Sequence, residues 1–148
     1  VQTCALPIWL MGKMDVAVLD GGFPKWRAEG REIEDMPPVV RDRHMTVSRQ
    51  NQLVKDVTQV AHAAKLAEAE IIDARSAARF KGEAPEPRAG LRSGHIPGSK
   101  NVPFATMLNG DGTMKPATEL RAVFEAAGVN LSKPAITTGF WYSSAKNS

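Results

Sequence analysis

Basic side chains are concentrated in one stretch of the chain, from Asp73 to Lys100. It holds three acidic residues and six basic ones, the latter being Arg75, Arg79, Lys81, Arg88, Arg92 and Lys100. This surplus of three positive charges equals the formal net charge of +3 of the whole chain. Such a stretch would attract a small anionic ligand, but a solvated basic loop has the same composition. Charge alone favours the solvated loop.

Strands and helices alternate around this basic stretch. Ile71 and Ile72 begin a buried strand with Asp73 at its carboxyl end, and residues 82–99 form a loop rich in Gly and Pro. The other predicted elements are a helix from Thr58 to about Glu68, a short strand at Asn101–Phe104, a helix at Ala117–Ala127 and a strand at Pro134–Thr138. This alternation predicts an α/β fold with a parallel sheet flanked by helices. Ligands of such folds bind beside the carboxyl ends of the strands.

Two motifs carry a resemblance to a known family. Gly94-His-Ile-Pro-Gly98 resembles a signature of rhodanese domains, with Leu91 where an aromatic is usual and Ser99 where alanine is usual. Val18-Leu-Asp-Gly-Gly-Phe-Pro-Lys-Trp26 is similar to the closing strand and helix of a first, non-catalytic rhodanese domain. The chain thus resembles the two-domain 3-mercaptopyruvate and thiosulfate sulfurtransferases of the rhodanese superfamily, cut at both ends.

The resemblance implies a function and a substrate site. Such enzymes move sulfur from 3-mercaptopyruvate to a thiol or cyanide through a cysteine persulfide. Arg79 and Arg88 match two arginines that grip the donor's carboxylate and carbonyl, and relatives that use thiosulfate typically lack the second. A planar guanidinium suits this task because it can bind a carboxylate bidentately. The implied partners are a small anionic sulfur donor and an acceptor such as thioredoxin or a small thiol, with no cofactor.

The sulfur-carrying cysteine of the family is absent from the matching place. Gly139 stands there, and Phe140-Trp141-Tyr142 follow where small residues are expected. No catalytic residue is therefore retained, and the chain as written is predicted to be inactive. A one-base shift through these three aromatic codons can give Ser-Gly-Ile, close to the expected loop. The alternatives are a catalytically inactive rhodanese-like binding or regulatory module, and a thiosulfate sulfurtransferase.

Several neighbours of these residues are interpreted as structural. Asp73 is expected to cap nearby amides, and Arg75 to pack and form hydrogen bonds at the strand end. His95 is expected to brace the loop before the Ile-Pro-Gly turn, as the matching histidine does in the family. Phe124 is expected in the core.

Composition and motif order suggest a division of the chain. Residues 1–8 look like a translated sequencing adaptor and are interpreted as non-native. Residues 9–30 are interpreted as the strand and helix that close a first rhodanese domain. The strand is Asp15–Asp20, and the helix begins near Pro24 and stops at Gly30. Residues 31–53 are predicted to be a linker, and residues 54–148 a second, catalytic-type rhodanese domain that stops after the active-site strand.

Composition also excludes several classes of protein. The 148 residues are 43% hydrophobic and 24% charged, which predicts a globular protein with a real core. The lone cysteine, Cys4, excludes an internal disulfide, and three widely spaced histidines predict no metal site. No apolar run approaches the roughly 20 residues of a membrane span, and no long basic stripe with aromatics suggests nucleic-acid binding. The expected compartment is the cytoplasm, or the mitochondrion in a eukaryote.

Overall fold

The structure is a computed structural model, in which the chain forms two compact units. It describes residues 5–37, 39, 41–42, 44, 46–87 and 90–139. The first unit is Val1–Lys55 with Gly110–Met114, and the second is Asp56–Asn109 with Lys115–Ser148. The division after Lys55 lies beside the predicted boundary between the linker and the catalytic-type domain.

The first unit is built from short helices and irregular segments. Helix α1 is Ala5–Leu10, helix α2 is Gly22–Ala28, and a 3₁₀ turn is Asn51–Leu53. After α2 the backbone of Gly30 has a φ of 67°, the left-handed conformation that glycine accommodates at a helix end. The predicted helix after Gly21 is thus present.

The predicted strand at Asp15–Asp20 is not formed. The backbone there is irregular up to a turn at Asp20, and Val18 and Leu19 are more than half exposed. A strand needs a neighbour to pair its N–H and C=O groups, and the described part of the first unit contains no strand. The prediction of a strand at Asp15–Asp20 is therefore wrong, because a β-branched sequence does not form a strand without a partner strand.

The second unit is organised by a parallel sheet. Strands β1 (Glu70–Asp73), β2 (Lys100–Asn101) and β3 (Ala135–Thr138) are arranged in the order β2-β1-β3, all parallel. The central strand is the most buried, with Ile71 and Ile72 at 3% and 5% exposure. Short apolar runs such as this one are typical of strands buried on both faces. The predicted α/β class with a parallel sheet is confirmed.

Three helices accompany these strands. Helix α3 (Val57–Leu66) precedes β1, α4 (Ala77–Lys81) lies between β1 and β2, and α5 (Ala117–Ala126) lies between β2 and β3. Helix α3 begins with a capping box, in which Asp56 and Gln59 each accept the other's backbone N–H through a side-chain oxygen. Both long predicted helices are confirmed, with ends that differ by one or two residues.

The core of the second unit lies between the sheet and α5. Its buried residues are Ile72, Val102 and Val129, and Met107, Val123, Phe124 and Ala127 pack against them. Phe124 is thus a core residue, as predicted. No helix in the described ranges is long and apolar enough to cross a membrane.

Candidate active site

The carboxyl ends of β1 and β3 bring Asp73 and Gly139 together. The two strands are in register up to Asp73 and Thr138, and the Ala74 N–H donates to the Thr138 carbonyl at 3.0 Å. Gly139 follows with a φ of 108°, a backbone conformation that favours glycine. A Cβ added there would lie 2.7 Å from both Asp73 Oδ1 and Arg75 Cγ. Position 139, where the sequence resemblance predicts the family's cysteine, therefore abuts the Asp73–Arg75 pair.

Asp73 and Arg75 form a nearly buried ion pair at the end of β1. The side chain of Asp73 is 1% exposed and that of Arg75 is 14% exposed. Asp73 Oδ1 accepts the backbone N–H of Arg75 at 2.9 Å, and Oδ2 accepts Nη2 at 2.6 Å. The hydrogen bonds from the Arg75 side chain to Asp73, reinforced by the charges of Asp73 and Glu86, raise the pKa of Arg75 above its already high value. The predicted capping role of Asp73 is confirmed.

The Arg75 guanidinium links three parts of the second unit. Besides Asp73 it contacts Glu86, with Nη1 donating to Oε1 at 2.7 Å, and the Gly94 carbonyl, with Nη2 donating at 2.7 Å. Each of its nitrogens is therefore engaged, since Nε also donates to Asp73. Arg75 is a packing and hydrogen-bonding residue, as predicted.

Arg79 lies on α4 and faces the same cluster. Its Nη2 donates to Glu86 Oε2 at 2.5 Å, and its Nε lies 3.4 Å from Oε1. The helix ends at Gly82, whose φ of 79° turns the chain into the following loop. The Arg79 side chain is 29% exposed, so this guanidinium is held by protein yet reachable from solvent.

Arg88 lies outside the described residues. A shared cleft for Arg79 and Arg88 therefore stays a prediction. The sequence from Phe140 onward, where the resemblance predicts small residues, lies outside the described residues too.

Glu86 is a site residue that sequence reasoning did not single out. Its side chain is 5% exposed and bridges Arg75 and Arg79. Hydrogen bonding to Arg79, reinforced by the charges of Arg79 and Arg75, lowers its pKa. One feature of the sequence could have indicated this role: Glu86 lies between Pro85 and Pro87. Two flanking prolines restrict the backbone and can hold the side chain of the residue between them in one direction.

His95 braces the loop that contains the signature motif. Its Nδ1 lies 2.7 Å from the Phe80 carbonyl oxygen, and its ring stacks on the Phe80 ring with centroids 3.8 Å apart. The following turn is closed by the Ser99 N–H, which donates to the Ile96 carbonyl at 3.0 Å. The Ser99 hydroxyl donates to the same carbonyl, so serine replaces the usual alanine with an added hydrogen bond. The bracing role predicted for His95 is confirmed.

Asn101 is a second residue that the sequence did not single out. Its side-chain amide donates to the carbonyls of Asp73 and Arg75, at 3.0 and 2.9 Å. It thereby ties β2 to the segment that carries the ion pair, and fixes that segment beside Gly139.

Sequence comparisons show that the chain is similar to known sulfurtransferases. No family model matches the chain. The 3-mercaptopyruvate sulfurtransferase of Escherichia coli is 37% identical over 133 residues, covering 88% of this chain and 47% of that protein. Bovine thiosulfate sulfurtransferase is 39% identical, with 88% and 46% covered. The Arabidopsis thaliana mitochondrial thiosulfate/3-mercaptopyruvate sulfurtransferase 1 is 37% identical, with 88% and 41% covered.

Solved structures give the same result. The crystal structure of SseA from Escherichia coli, described as a 3-mercaptopyruvate sulfotransferase with the rhodanese fold, superposes with a TM-score of 0.77 at 34% identity. It covers 88% of this chain and 48% of SseA. Tum1 of Saccharomyces cerevisiae superposes with a TM-score of 0.71 at 25% identity, covering 89% and 49%.

The structural match gives the chain the rhodanese fold. Over 88% of its length the chain is 37–39% identical to proteins named thiosulfate or 3-mercaptopyruvate sulfurtransferases. The chain spans about half the length of the curated relatives it matches.

Proposed function

We propose that residues 54–148 are the second, catalytic-type domain of a parent sulfurtransferase that moves sulfur from 3-mercaptopyruvate to a thiol or cyanide. In this proposal residues 1–8 are non-native, residues 9–30 close a first rhodanese domain, and residues 31–53 are the linker. The relatives' names support the reaction, and the compact second unit, which begins at Asp56, supports the division.

The proposed chemistry passes through a cysteine at the position of Gly139 in the intact parent. The thiolate attacks the donor's sulfur, the carbon–sulfur bond breaks, and the enolate of pyruvate leaves and takes a proton. The transferred sulfur remains as a persulfide, which an acceptor thiol attacks at the outer sulfur to release the thiolate. Because glycine has no nucleophile, the chain as written is proposed to be inactive.

One observation carries this proposal. Gly139 lies against the Asp73–Arg75 pair at the carboxyl edge of the sheet, and Arg75 shares the Glu86 carboxylate with Arg79. This supports a site in which a nucleophile at 139 and an anion-binding guanidinium belong to one hydrogen-bonded cluster. The preference for 3-mercaptopyruvate rests on Arg79 and Arg88, since only that donor presents a carboxylate to a guanidinium fork.

Two alternatives remain, one with another sulfur donor and one without enzymatic activity. The names of the relatives include thiosulfate as well as 3-mercaptopyruvate, so a thiosulfate sulfurtransferase is the first. A catalytically inactive rhodanese-like binding or regulatory module is the second, and it is favoured by the glycine at 139. The nucleotide sequence around codon 139, read in all three frames, separates a genuine glycine from a shifted reading frame.

The proposed acceptor is thioredoxin or a small thiol. The proposed compartment is the cytoplasm, or the mitochondrion in a eukaryote, as the name of the Arabidopsis relative indicates for that protein.

The direct test compares the chain with a repaired version. Residues from 139 onward are replaced by Cys-Gly-Ser-Gly-Val-Thr and a complete terminal strand–helix unit, and sulfur transfer is measured with 3-mercaptopyruvate and with thiosulfate. We expect no turnover by the chain as written and turnover by the repaired protein. Turnover by the unrepaired chain would refute the role of position 139, and a folded but inactive repaired protein would favour the binding module.

A further inference from the structure

Glu86 occupies an unusual place for an acidic loop residue. It lies in the Gly- and Pro-rich loop after α4, yet its side chain is 5% exposed. Its two carboxylate oxygens contact Arg75 Nη1 at 2.7 Å and Arg79 Nη2 at 2.5 Å. A carboxylate with so little solvent exposure needs charged partners, and both are present. Glu86 is therefore a built part of the site, unlike a solvated loop acid.

The contact with Arg79 uses one particular edge of the guanidinium. Nε and Nη2 both face Glu86, at 3.4 and 2.5 Å. A guanidinium carries five N–H groups in one plane, so a carboxylate on the Nε edge leaves the edge formed by Nη1 and the outer N–H of Nη2. Within the described part of the chain, Nη1 of Arg79 has no hydrogen-bond acceptor. That edge remains available to a ligand carboxylate.

Glu86 is itself held in place from the other side. Arg75, which donates to it, also donates to the buried Asp73 carboxylate and to the Gly94 carbonyl. Glu86 and Arg75 thus connect the Arg79 side chain to the end of β1 through hydrogen bonds. Gly139 lies beside the same strand end. The short helix α4 alone would leave a long arginine side chain with many rotamers.

We propose that Glu86 is a positioning residue, which fixes the guanidinium plane of Arg79 so that its free edge meets the carboxylate of an anionic donor. This inference rests on the proposed function, because it takes Arg79 as a donor-binding residue. The competing idea is that Glu86 only neutralises Arg79, since the cluster of Asp73, Arg75, Arg79 and Glu86 has two charges of each sign. The two ideas predict opposite changes in the affinity for an anion when Glu86 is replaced. Loss of a positioning residue would weaken anion binding, whereas removal of a neutralising charge would strengthen it.

The test uses the chain as it exists, with pyruvate as the probe because it shares the donor's carboxylate and carbonyl. The dissociation constant is measured by NMR titration, and the order of Arg79 by its Nε–H resonance, assigned through Arg79→Lys. The variants are Glu86→Gln and Glu86→Asp, and the latter keeps the charge beside Arg75 but shortens the side chain. Glu83→Gln, an exposed acid of the same loop, is the control with an equal charge change.

We expect both Glu86 variants to lose the protected Nε–H signal of Arg79. They should also bind pyruvate about fivefold to tenfold more weakly, because binding must then order one mobile side chain. Glu83→Gln should change binding less than about twofold. If Glu86→Gln unfolds the protein, Glu86→Asp alone decides the outcome. An unchanged Arg79 signal or tighter pyruvate binding in the Glu86 variants would overturn the proposal. If Arg79→Lys leaves pyruvate binding unchanged, the assignment of Arg79 as donor-binding fails, and the role of Glu86 fails with it.

Discussion

Introducing a cysteine at position 139 alone should destabilise the protein without producing sulfurtransferase activity. The residue has a φ of 108°, and a Cβ would approach Asp73 Oδ1 and Arg75 Cγ to 2.7 Å. Backbone strain of this kind costs about 1–3 kcal/mol, and forcing atoms into a filled space costs about 1–3 kcal/mol. The free energy of unfolding should therefore fall by about 4 kcal/mol, a large part of the 5–15 kcal/mol typical of a domain.

The contribution of the contact can be separated from that of the strain. Gly139→Ala adds the same Cβ without a thiol, and should lose nearly as much stability as Gly139→Cys. Gly94→Ala is the matched control, because Gly94 has a φ of 101° and no described atom lies within 4 Å of its added Cβ. Urea denaturation should show Gly139→Ala to be about 2 kcal/mol more destabilising than Gly94→Ala.

The activity of the variant is measured in a Cys4→Ser background, so that position 139 carries the single thiol. After incubation with 3-mercaptopyruvate, cyanolysis should detect no persulfide. The bulky Phe140 and Trp141 are expected to keep backbone amides from converging on the sulfur, and a thiol with an unperturbed pKa of about 8.5 stays mostly protonated near neutral pH. Equal stability losses for Gly139→Ala and Gly94→Ala would show that Asp73 and Arg75 can move away from the added Cβ at little cost in free energy. Persulfide formation by Gly139→Cys would refute the reasoning as a whole.

Three further predictions concern the second unit. In the tail-repaired protein, Arg88→Ala should lower kcat/KM for 3-mercaptopyruvate by about 10- to 100-fold and that for thiosulfate much less, and equal losses would contradict the donor assignment. Asp56→Ala, which removes the cap of α3, should lower the free energy of unfolding by about 1 kcal/mol in urea denaturation, with the exposed Glu68→Ala as a near-neutral control. A hydrogen bond from Lys100 lowers the pKa of Glu70 below its ordinary value of 4.5. The stability from this pair is therefore complete above about pH 4.5 and is lost as the pH falls through the folded pKa. The difference between the chain and Glu70→Gln in urea should accordingly shrink from pH 7 to pH 3, and a constant difference would show that the pair does not matter.

The sequence predicted most of the second unit because its signals are local. Ile71 and Ile72 form a short apolar run that is buried as β1, and α5 lies between Pro116 and Gly128, residues that mark helix ends. The strand predicted at Asp15–Asp20 failed for the opposite reason. Its residue types suit a strand, but pairing depends on a neighbour that a local pattern does not reveal.

The candidate site was predictable only in part. The capping role of Asp73 and the bracing role of His95 follow from a strand end and a signature motif. Glu86 and Asn101 were missed because their roles depend on contacts between segments 7 to 28 residues apart. A buried loop acid and a solvated one have the same local sequence, and only the fold distinguishes them.

The strand order has a consequence for how the nascent chain folds. β1 is made first, but Lys100 of β2 follows its partner Ile72 by 28 residues, and Ala135 of β3 follows Glu70 by 65. At a synthesis rate of about 5–20 residues per second, β1 waits roughly 3–13 s for its second neighbour. During that time one edge of an apolar strand is open to pairing with other chains. We therefore expect slow folding, governed by these distant contacts, and a dependence of yield on chaperones during translation.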